Sequence, residues 1–264
     1  MIVHVRGIAA IGPGFDSWAA LSHCMRTGAA LDAHCVPRPQ ATTLPATERR
    51  RASVTIKLAV DVAQAALAQS GLKAEDVAIV FASANGDTNT IHQICESLAT
   101  PERMVSPTRF HNSVHNAAVG YWSIASGSRQ PSTSLAAWTG TFAAGLVEAA
   151  TQCLAEAVPV LLAVFDTPFP EPLAEQAPGR QLFGMALVLD STPGDSPARM
   201  TLTLETDARL AETHLSEPEL EALRADSSAA RSLSLLAALA STAANQEIVL
   251  DYVDGLRLKV VLDR

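Results

Sequence analysis

The stretch Ser106–Ala150 reads SPTRFHNSVHNAAVGYWSIASGSRQPSTSLAAWTGTFAAGLVEAA. Residues 132–136 predict a short buried strand, and the small and apolar residues from Gly140 onward predict a helix. At such a sharp strand-to-helix turn a side chain lies beside unpaired helix N–H groups, which is where an acyl-transfer enzyme places its nucleophile. The turn residues are Ala136, Ala137, Trp138 and Thr139. Only Thr139 offers a hydroxyl, and it is a poor nucleophile without an adjacent base.

The composition describes a globular chain of 264 residues, 48% apolar and 17% charged, with a net charge of -8. That balance leaves apolar surface for a partner to cover and argues against a nucleic acid, which requires a concentrated basic footprint. The four cysteines have no metal-binding spacing and predict reduced core thiols. No signal peptide and no membrane-spanning stretch are found, so we expect a cytoplasmic protein.

Outward from the central stretch, the N-terminal side predicts alternating strands and helices. A strand (2–8) and a helix (18–26) precede a proline-containing loop (29–46). A long helix over 47–70, capped by Thr47, places Val54, Leu58, Val62, Ala65 and Ala66 on one face. Residues 77–82 (VAIVFA) are apolar without alternation, which indicates a strand buried on both faces of a parallel sheet.

The C-terminal side predicts a helix (142–155) and a second apolar strand (158–165), which complete a strand-helix-strand crossover. Strands at 184–189 and 200–204 are joined by a polar turn. After a polar insertion come a helix (229–242) and a hairpin of strands 248–252 and 256–262 around Asp254-Gly255. The elements therefore indicate an α/β fold.

Three segments resemble the β-ketoacyl synthase branch of the thiolase-like fold. IVHVRGIAAIGPGFDSWAALSHCMRTG is similar to the synthase opening, and LPATERRRASVTIKLAVDVAQAALAQSGLKAEDVAIVFASANGD to the segment that follows it. PSTSLAAWTGTFAAGLVEAA resembles the nucleophile region, which reads Thr-Ala-Cys-x-Ser-Gly in the family. SPTRFHNSVHNAAVGYWS is similar to the short, chain-length-factor-like subunit of aryl polyene pigment pathways. The resemblance covers residues 1–190 and implies a layered α/β/α fold, with 191–264 as a reduced second half.

The departures from the family concern its catalytic apparatus. Aligned without gaps from Pro131-Ser132, the family's cysteine falls on Thr139; aligned on Gly145, it falls on Ala137. The His-Gly-Thr-Gly-Thr and Asn-x-x-Phe-Gly-Gly-x-Asn motifs are both absent from the sequence, and the only histidine after His115 is His214. We interpret the chain as one that keeps the fold and lacks the covalent chemistry.

The resemblance also implies an interface and the mouth of an acyl channel around the central stretch. The residues expected there are Ser113, His115, Asn116, Tyr121, Trp122, Ser134, Ala137, Trp138, Thr139 and Phe142. Trp138 and Phe142 are expected to project towards a dimer axis, since aromatic residues often anchor interfaces. The alternatives are that Tyr121 and Trp122 fill the core and that the bend at 137–139 accepts any residues that pack.

Two further groups of residues have simpler interpretations. His111 and His115 are four apart, as a zinc pair on a helix requires, but no third ligand has a recognisable spacing, so structural or interface histidines are favoured and no metal is expected. Arg49, Arg50 and Arg51 form a basic patch at a helix start, which is either simply solvated or docks an acidic acyl carrier protein. No cofactor motif is present.

These observations lead to one main hypothesis and two alternatives. The main one is a non-catalytic subunit of chain-length-factor type that pairs through the strand 131–137 with an active ketosynthase, or with itself. The partner would supply the cysteine and both histidines. The first alternative is an acyl-transfer or decarboxylating enzyme with relocated residues around Thr139, and the second is a self-pairing scaffold.

Overall fold

The computed structural model describes residues 1–194, 196–207, 209–253 and 255–264. Its strands are β1 (Ile2–Ile11), β2 (Ala78–Ala82), β3 (Ser132–Leu135), β4 (Val160–Asp166), β5 (Phe183–Asp190), β6 (Ala198–Glu205), β7 (Gln246–Asp251) and β8 (Arg257–Asp263). Its helices are α1 (Trp18–Thr27), α2 (Ala46–Arg51), α3 (Val54–Ser70), α4 (Thr88–Ala99), α5 (Pro107–Asn112), α6 (Ala117–Ser126), α7 (Thr141–Glu156), α8 (Pro218–Asp226) and α9 (Leu233–Ala240). The strands form one eight-stranded sheet in the order β3-β2-β4-β5-β1-β6-β8-β7.

The parallel part of the sheet consists of β3, β2 and β4. Every residue of β2 and of β4 is buried, which confirms the two strands predicted from their apolar, non-alternating sequences. Helix α7 connects β3 to β4 across β2, as the predicted crossover requires. Ala82 Cβ and Leu162 Cδ1 lie 3.1 and 3.0 Å from where a Cβ on Gly145 would be, so a larger residue there would crowd α7 against the sheet.

The remaining strands are antiparallel. Strands β5 and β6 follow each other in the chain but do not pair, because β1 lies between them and bonds to both. The predicted terminal hairpin is confirmed as β7 and β8, paired from Gln246↔Leu262 to Asp251↔Arg257. Of its predicted turn, Asp254 lies outside the described residues.

Helices cover both faces of the sheet and give the predicted three-layer arrangement. Helices α3 and α6 enclose one apolar core, and α1, α7, α8 and α9 enclose the other. The second core contains residues from both 1–190 and 191–264, since the strands after β5 extend the same sheet. No helix of the described ranges is both long and apolar enough to cross a membrane.

One helix prediction was wrong in detail, and one helix was not predicted. The helix predicted over 47–70 is divided at Ala52, whose extended backbone allows the Ser53 hydroxyl to accept the Ile56 amide at 3.2 Å and cap α3. Thr47 therefore does not cap the long helix, and Val54 is exposed rather than on the buried face. The polar insertion after β6 contains helix α8, which begins at Pro218, a favourable first helical residue.

Candidate functional site

Strand β3 forms one edge of the sheet, where the sequence predicted a buried strand. Its only neighbour among the described strands is β2, so its four residues are exposed or half-buried. The Pro131 carbonyl accepts the amide of Ile79 in β2, and the Leu135 carbonyl accepts the amide of Ser83, the residue after β2. Because backbone groups alternate in direction along a strand, those of Ser132 and Ser134 point away from β2. This edge therefore offers free donors and acceptors to another strand.

The bend after β3 is held by hydrogen bonds within itself. The Ala137 amide donates to Thr141 Oγ1 at 3.0 Å, Thr141 Oγ1 donates to the Trp138 carbonyl at 2.7 Å, and the Gly140 amide donates to the Ala137 carbonyl at 2.9 Å. Two amides that could have bound an oxyanion are thus already engaged. Trp138 has a φ of 51°, a left-handed conformation that is costly for a non-glycine residue.

The nucleophile position of the bend carries no thiol in either alignment. Thr139 is half-buried and offers only a hydroxyl, which is a poor nucleophile without an adjacent base. Cys153 lies on α7, twelve residues beyond the start of that helix at Thr141, or about 18 Å along its axis. Burial raises the pKa of the Cys153 thiol to about 11, which keeps it protonated and unreactive.

The tip of the terminal hairpin packs against this bend. A Cβ on Gly140 would lie 2.6 Å from the carbonyl oxygen of Tyr252, so glycine is required for the contact. The hairpin thus brings Tyr252, rather than a glycine-rich turn, to the start of α7.

Three of the residues expected at an interface lie in the core instead. Tyr121, Trp122 and Phe142 are 2%, 1% and 1% exposed. Helix α6 lies against β2, so Trp122 packs on Phe81, and the Tyr121 hydroxyl donates to Asn112 Oδ1 at 3.1 Å. Burial raises the pKa of Tyr121. These side chains leave no surface for a partner, and the expectation that Phe142 projects outward with Trp138 was wrong.

Trp138 itself is 75% exposed. Fourteen large apolar side chains are exposed in the described ranges, and half of them lie between residues 91 and 138, which is less than a fifth of the chain. Exposed apolar side chains concentrated in one segment make that segment a candidate for partner contact. Of these seven residues, only Trp138 was predicted from the sequence to project outward; the others are Ile91, Leu98, Met104, Phe110, Val114 and Ile124.

The turn between α5 and α6 carries Ser113, His115 and Asn116. His115 Nε2 lies 2.9 Å from the Ser83 carbonyl, and Ser113 Oγ donates to the Phe110 carbonyl at 2.8 Å. Helix α5 ends at Asn112, so His111 and His115 do not share a helix face as a metal pair would require. His111 instead packs edge-on against Tyr121, and no group of three potential ligands occurs in the described ranges.

A buried carboxyl lies where β2 and β4 end, and the sequence analysis did not single it out. Asp166 Oδ1 accepts Ser83 Oγ at 2.8 Å and the Asn85 amide at 3.2 Å. Asp166 Oδ2 has no hydrogen bond of good geometry to a described residue, although the amides of Ala84 and Ala229 favour the ionised form. Burial outweighs these contacts and raises the pKa of Asp166 to about 6. An acid closing an otherwise apolar strand was the available signal.

The arginines of the predicted docking patch form the last turn of the short helix α2. Arg50 and Arg51 are exposed, Arg49 is half-buried, and Arg51 Nη1 lies 3.4 Å from Glu48 Oε1. The patch is therefore at a helix end rather than at a helix start.

Comparison with protein families identifies the architecture around the bend. The family model described as "Beta-ketoacyl synthase, N-terminal domain" matches residues 18–253, which is most of the chain. The chain belongs to the β-ketoacyl synthase family. The match crosses residue 190, so it includes strands on both sides of β1.

Solved structures of the synthase family give the same fold. A structure of the ketosynthase ApeO in complex with its chain length factor ApeC from Xenorhabdus doucetiae is similar at 26% identity, with a TM-score of 0.75 and coverage of 99% of both chains. The ishigamide ketosynthase/chain length factor has 15% identity, a TM-score of 0.75 and 99% coverage of both chains, and shows likeness of fold alone. No curated protein matches the chain.

Proposed function

We propose that this chain is a non-catalytic synthase-like subunit of chain-length-factor type, which pairs with an active β-ketoacyl synthase in polyketide, aryl polyene or fatty acid biosynthesis. One observation carries the proposal: the free sheet edge β3 leads directly into a nucleophile bend that has no thiol and whose amides are already bonded. The fold is kept where a partner would pair, and the chemistry is missing where acyl capture would begin.

The edge supplies backbone pairing and the surface beside it supplies apolar contact. Ser132 and Ser134 present backbone groups on the free side of β3, so a strand of the partner can add to the sheet there. Trp138 follows directly and is suited to anchor the interface. The ApeO–ApeC structure is a complex of a ketosynthase with a chain length factor, which agrees with a paired assembly of this kind.

In the proposed complex the partner contributes the cysteine and both histidines. This chain bounds the space into which the growing acyl chain extends, through Ala137 and Trp138. Arg49, Arg50 and Arg51 are proposed to contact an acyl carrier protein, with the exposed Arg50 and Arg51 as the main contributors. Residues 191–264 are proposed to be a reduced second half of the family's fold. We expect the complex in the cytoplasm.

Co-expression with a ketosynthase of the same biosynthetic type tests the proposal. We expect a stable heterodimer by size-exclusion chromatography with light scattering, and condensing activity only when the ketosynthase is present. A thioester acylating probe should label the ketosynthase cysteine and leave this chain unlabelled. A ketosynthase with its cysteine changed to alanine is the control, and neither chain of that complex should be labelled.

The same measurements separate the alternatives. Labelling of the purified chain alone, lost in a Thr139→Val variant, would support relocated acyl-transfer chemistry and overturn the proposal. A homodimer that does not exchange with the co-expressed ketosynthase would support a self-pairing scaffold.

A further inference from the structure

The opposite edge of the sheet, strand β7, is covered by a short segment of the same chain. The Thr213 amide donates to the Val249 carbonyl at 2.9 Å, and the Val249 amide donates to Thr213 Oγ1, also at 2.9 Å. Both outward backbone groups of Val249 are therefore occupied by one residue. Thr213 thus binds the edge with its backbone amide and its side-chain hydroxyl.

The segment Glu212–Leu215, here termed the strap, is fixed by contacts on both sides of Thr213. Ser234 Oγ donates to the Thr213 carbonyl at 2.7 Å, which ties the strap to α9. The Leu215 amide donates to Glu221 Oε2 at 2.9 Å, which ties it to α8. The strap therefore reaches the edge because two helices hold it there.

A buried arginine reinforces this attachment. Arg224, 3% exposed, donates to Glu212 Oε1 at 2.6 Å and to Glu221 Oε2 at 2.7 Å. Arg231 Nη1 adds a second contact to Glu212 Oε1 at 3.1 Å. Glu212, the first residue of the strap, is thus bonded to two arginines from outside it.

We propose that the strap is a device that blocks strand addition at β7 and so restricts assembly of this chain to the other edge. Strand β7 needs such a device because its central residues Ile248, Val249 and Leu250 are apolar, a composition that promotes edge-to-edge pairing. Glu247 also points its backbone outward, two residues before Val249, and has no strap contact among the described residues. Without the strap, the occupant of the edge would be β7 of a second copy of this chain.

A graded pair of substitutions at Thr213 tests the proposal in the full-length protein. Thr213→Val removes the acceptor of the Val249 amide, and Thr213→Pro removes both hydrogen bonds to the edge. By hydrogen exchange we expect the Val249 amide to exchange about fivefold to tenfold faster in the first variant and faster still in the second. Thr213→Ser keeps the hydroxyl, and Thr242→Val changes an exposed threonine nearby; both should exchange as the parent does.

Sedimentation velocity over a range of concentrations then measures assembly. We expect the proline variant to form species heavier than the parent. Adding Glu247→Pro, which removes an outward amide from β7 and is tolerated at an edge, should restore the parent mass. An unchanged hydrogen-exchange rate of the Val249 amide in both variants would overturn the proposal that the strap protects β7. Faster exchange without heavier species, or heavier species that persist with Glu247→Pro, would overturn the blocking of assembly.

Discussion

The two edge strands of the sheet differ in how their free backbone groups are treated. At β7, Thr213 of the strap occupies both outward groups of Val249. At β3, Ser132 and Ser134 face outward beside the exposed Trp138, and among the described strands only β2 pairs with β3. Sheet proteins usually protect their edges, so an edge left free next to apolar surface indicates a place for a partner. The molecule covers the middle of one edge, at Val249, and leaves the other edge available.

Buried charges follow the same division. Near β7, Arg224 is paired with Glu212 and Glu221, and its hydrogen bonds hold the pKa of Glu221 well below its usual range. Beside β2, which pairs with β3, the buried Asp166 has hydroxyl and amide donors but no cation, and its pKa rises to about 6. The charges at the covered end are paired with opposite charges, whereas the free end carries an acid whose ionisation costs stability.

The largest effect is expected at the covered end. Arg224→Met would leave the partly buried Glu221 without its arginine and Glu212 with Arg231 alone, so we expect the free energy of unfolding to fall by about 3 kcal/mol at neutral pH. Urea denaturation measures it. Arg209 forms a solvent-exposed ion pair with Asp207, so Arg209→Met is the matched control and should unfold as the parent does. Equal stability of the parent and Arg224→Met would show that the contacts of Arg224 with Glu212 and Glu221 do not stabilise the β7 end of the sheet.

The effect of a proline substitution in β3 should depend on which residue it replaces. Ser134→Pro removes an outward amide and leaves the ladder to β2 intact, so we expect affinity for the ketosynthase to fall by about 100-fold with little change in thermal stability. Isothermal titration calorimetry measures the affinity. Thr133 points its backbone towards β2, and Thr133→Pro should instead destabilise the chain itself. Ser134→Ala should bind as the parent does; undiminished binding by Ser134→Pro would exclude β3 as the pairing strand.

The contrast between the edges was only partly predictable from sequence. Residues 78–82 and 160–166 were recognised as buried strands because they are apolar throughout, and β7 and β8 because a turn signal separates them. The strand at 132–135 was predicted to be buried, because its pattern does not show how many neighbours it has. The strap was not predicted, since Thr213 acquires its role from Val249, thirty-six residues away.

The candidate site was predictable to a similar degree. The missing cysteine at 137–139 could be recognised from the resemblance. The inward direction of Tyr121, Trp122 and Phe142 could not, because it depends on how α6 and α7 rotate against the sheet. Asp166 was missed because its raised pKa arises from burial among residues distant in sequence.

Asp166, which has no cation beside it in the described ranges, should make the stability of the chain fall as pH rises. The pKa of Asp166 in the folded chain, about 6, exceeds its ordinary value of 3.8. The stability that the protonated carboxyl contributes is therefore fully present below pH 4 and is lost as pH rises through 6. Asp166→Asn removes the buried charge. We therefore expect its free energy of unfolding to exceed that of the parent by about 2 kcal/mol at pH 8 and to equal it at pH 4. Thermal and urea unfolding across this range measure it. Asp190→Asn, which would break an ion pair with Arg6, should destabilise at pH 8. Destabilisation by Asp166→Asn at pH 8 would contradict the claim that the ionised Asp166 carboxylate destabilises the folded chain.

Trp138 allows folding and pairing to be separated at the free edge. Its φ of 51° suits glycine, so Trp138→Gly should relieve backbone strain and raise the stability of the isolated chain by about 1 kcal/mol. The same substitution removes an exposed aromatic side chain, so we expect affinity for the ketosynthase to fall by about tenfold. Trp138→Phe keeps the strain and an aromatic ring, and should retain most of the affinity without the gain in stability. A tryptophan that served only to pack the bend would give the reverse result: the glycine variant would lose stability and bind its partner as the parent does.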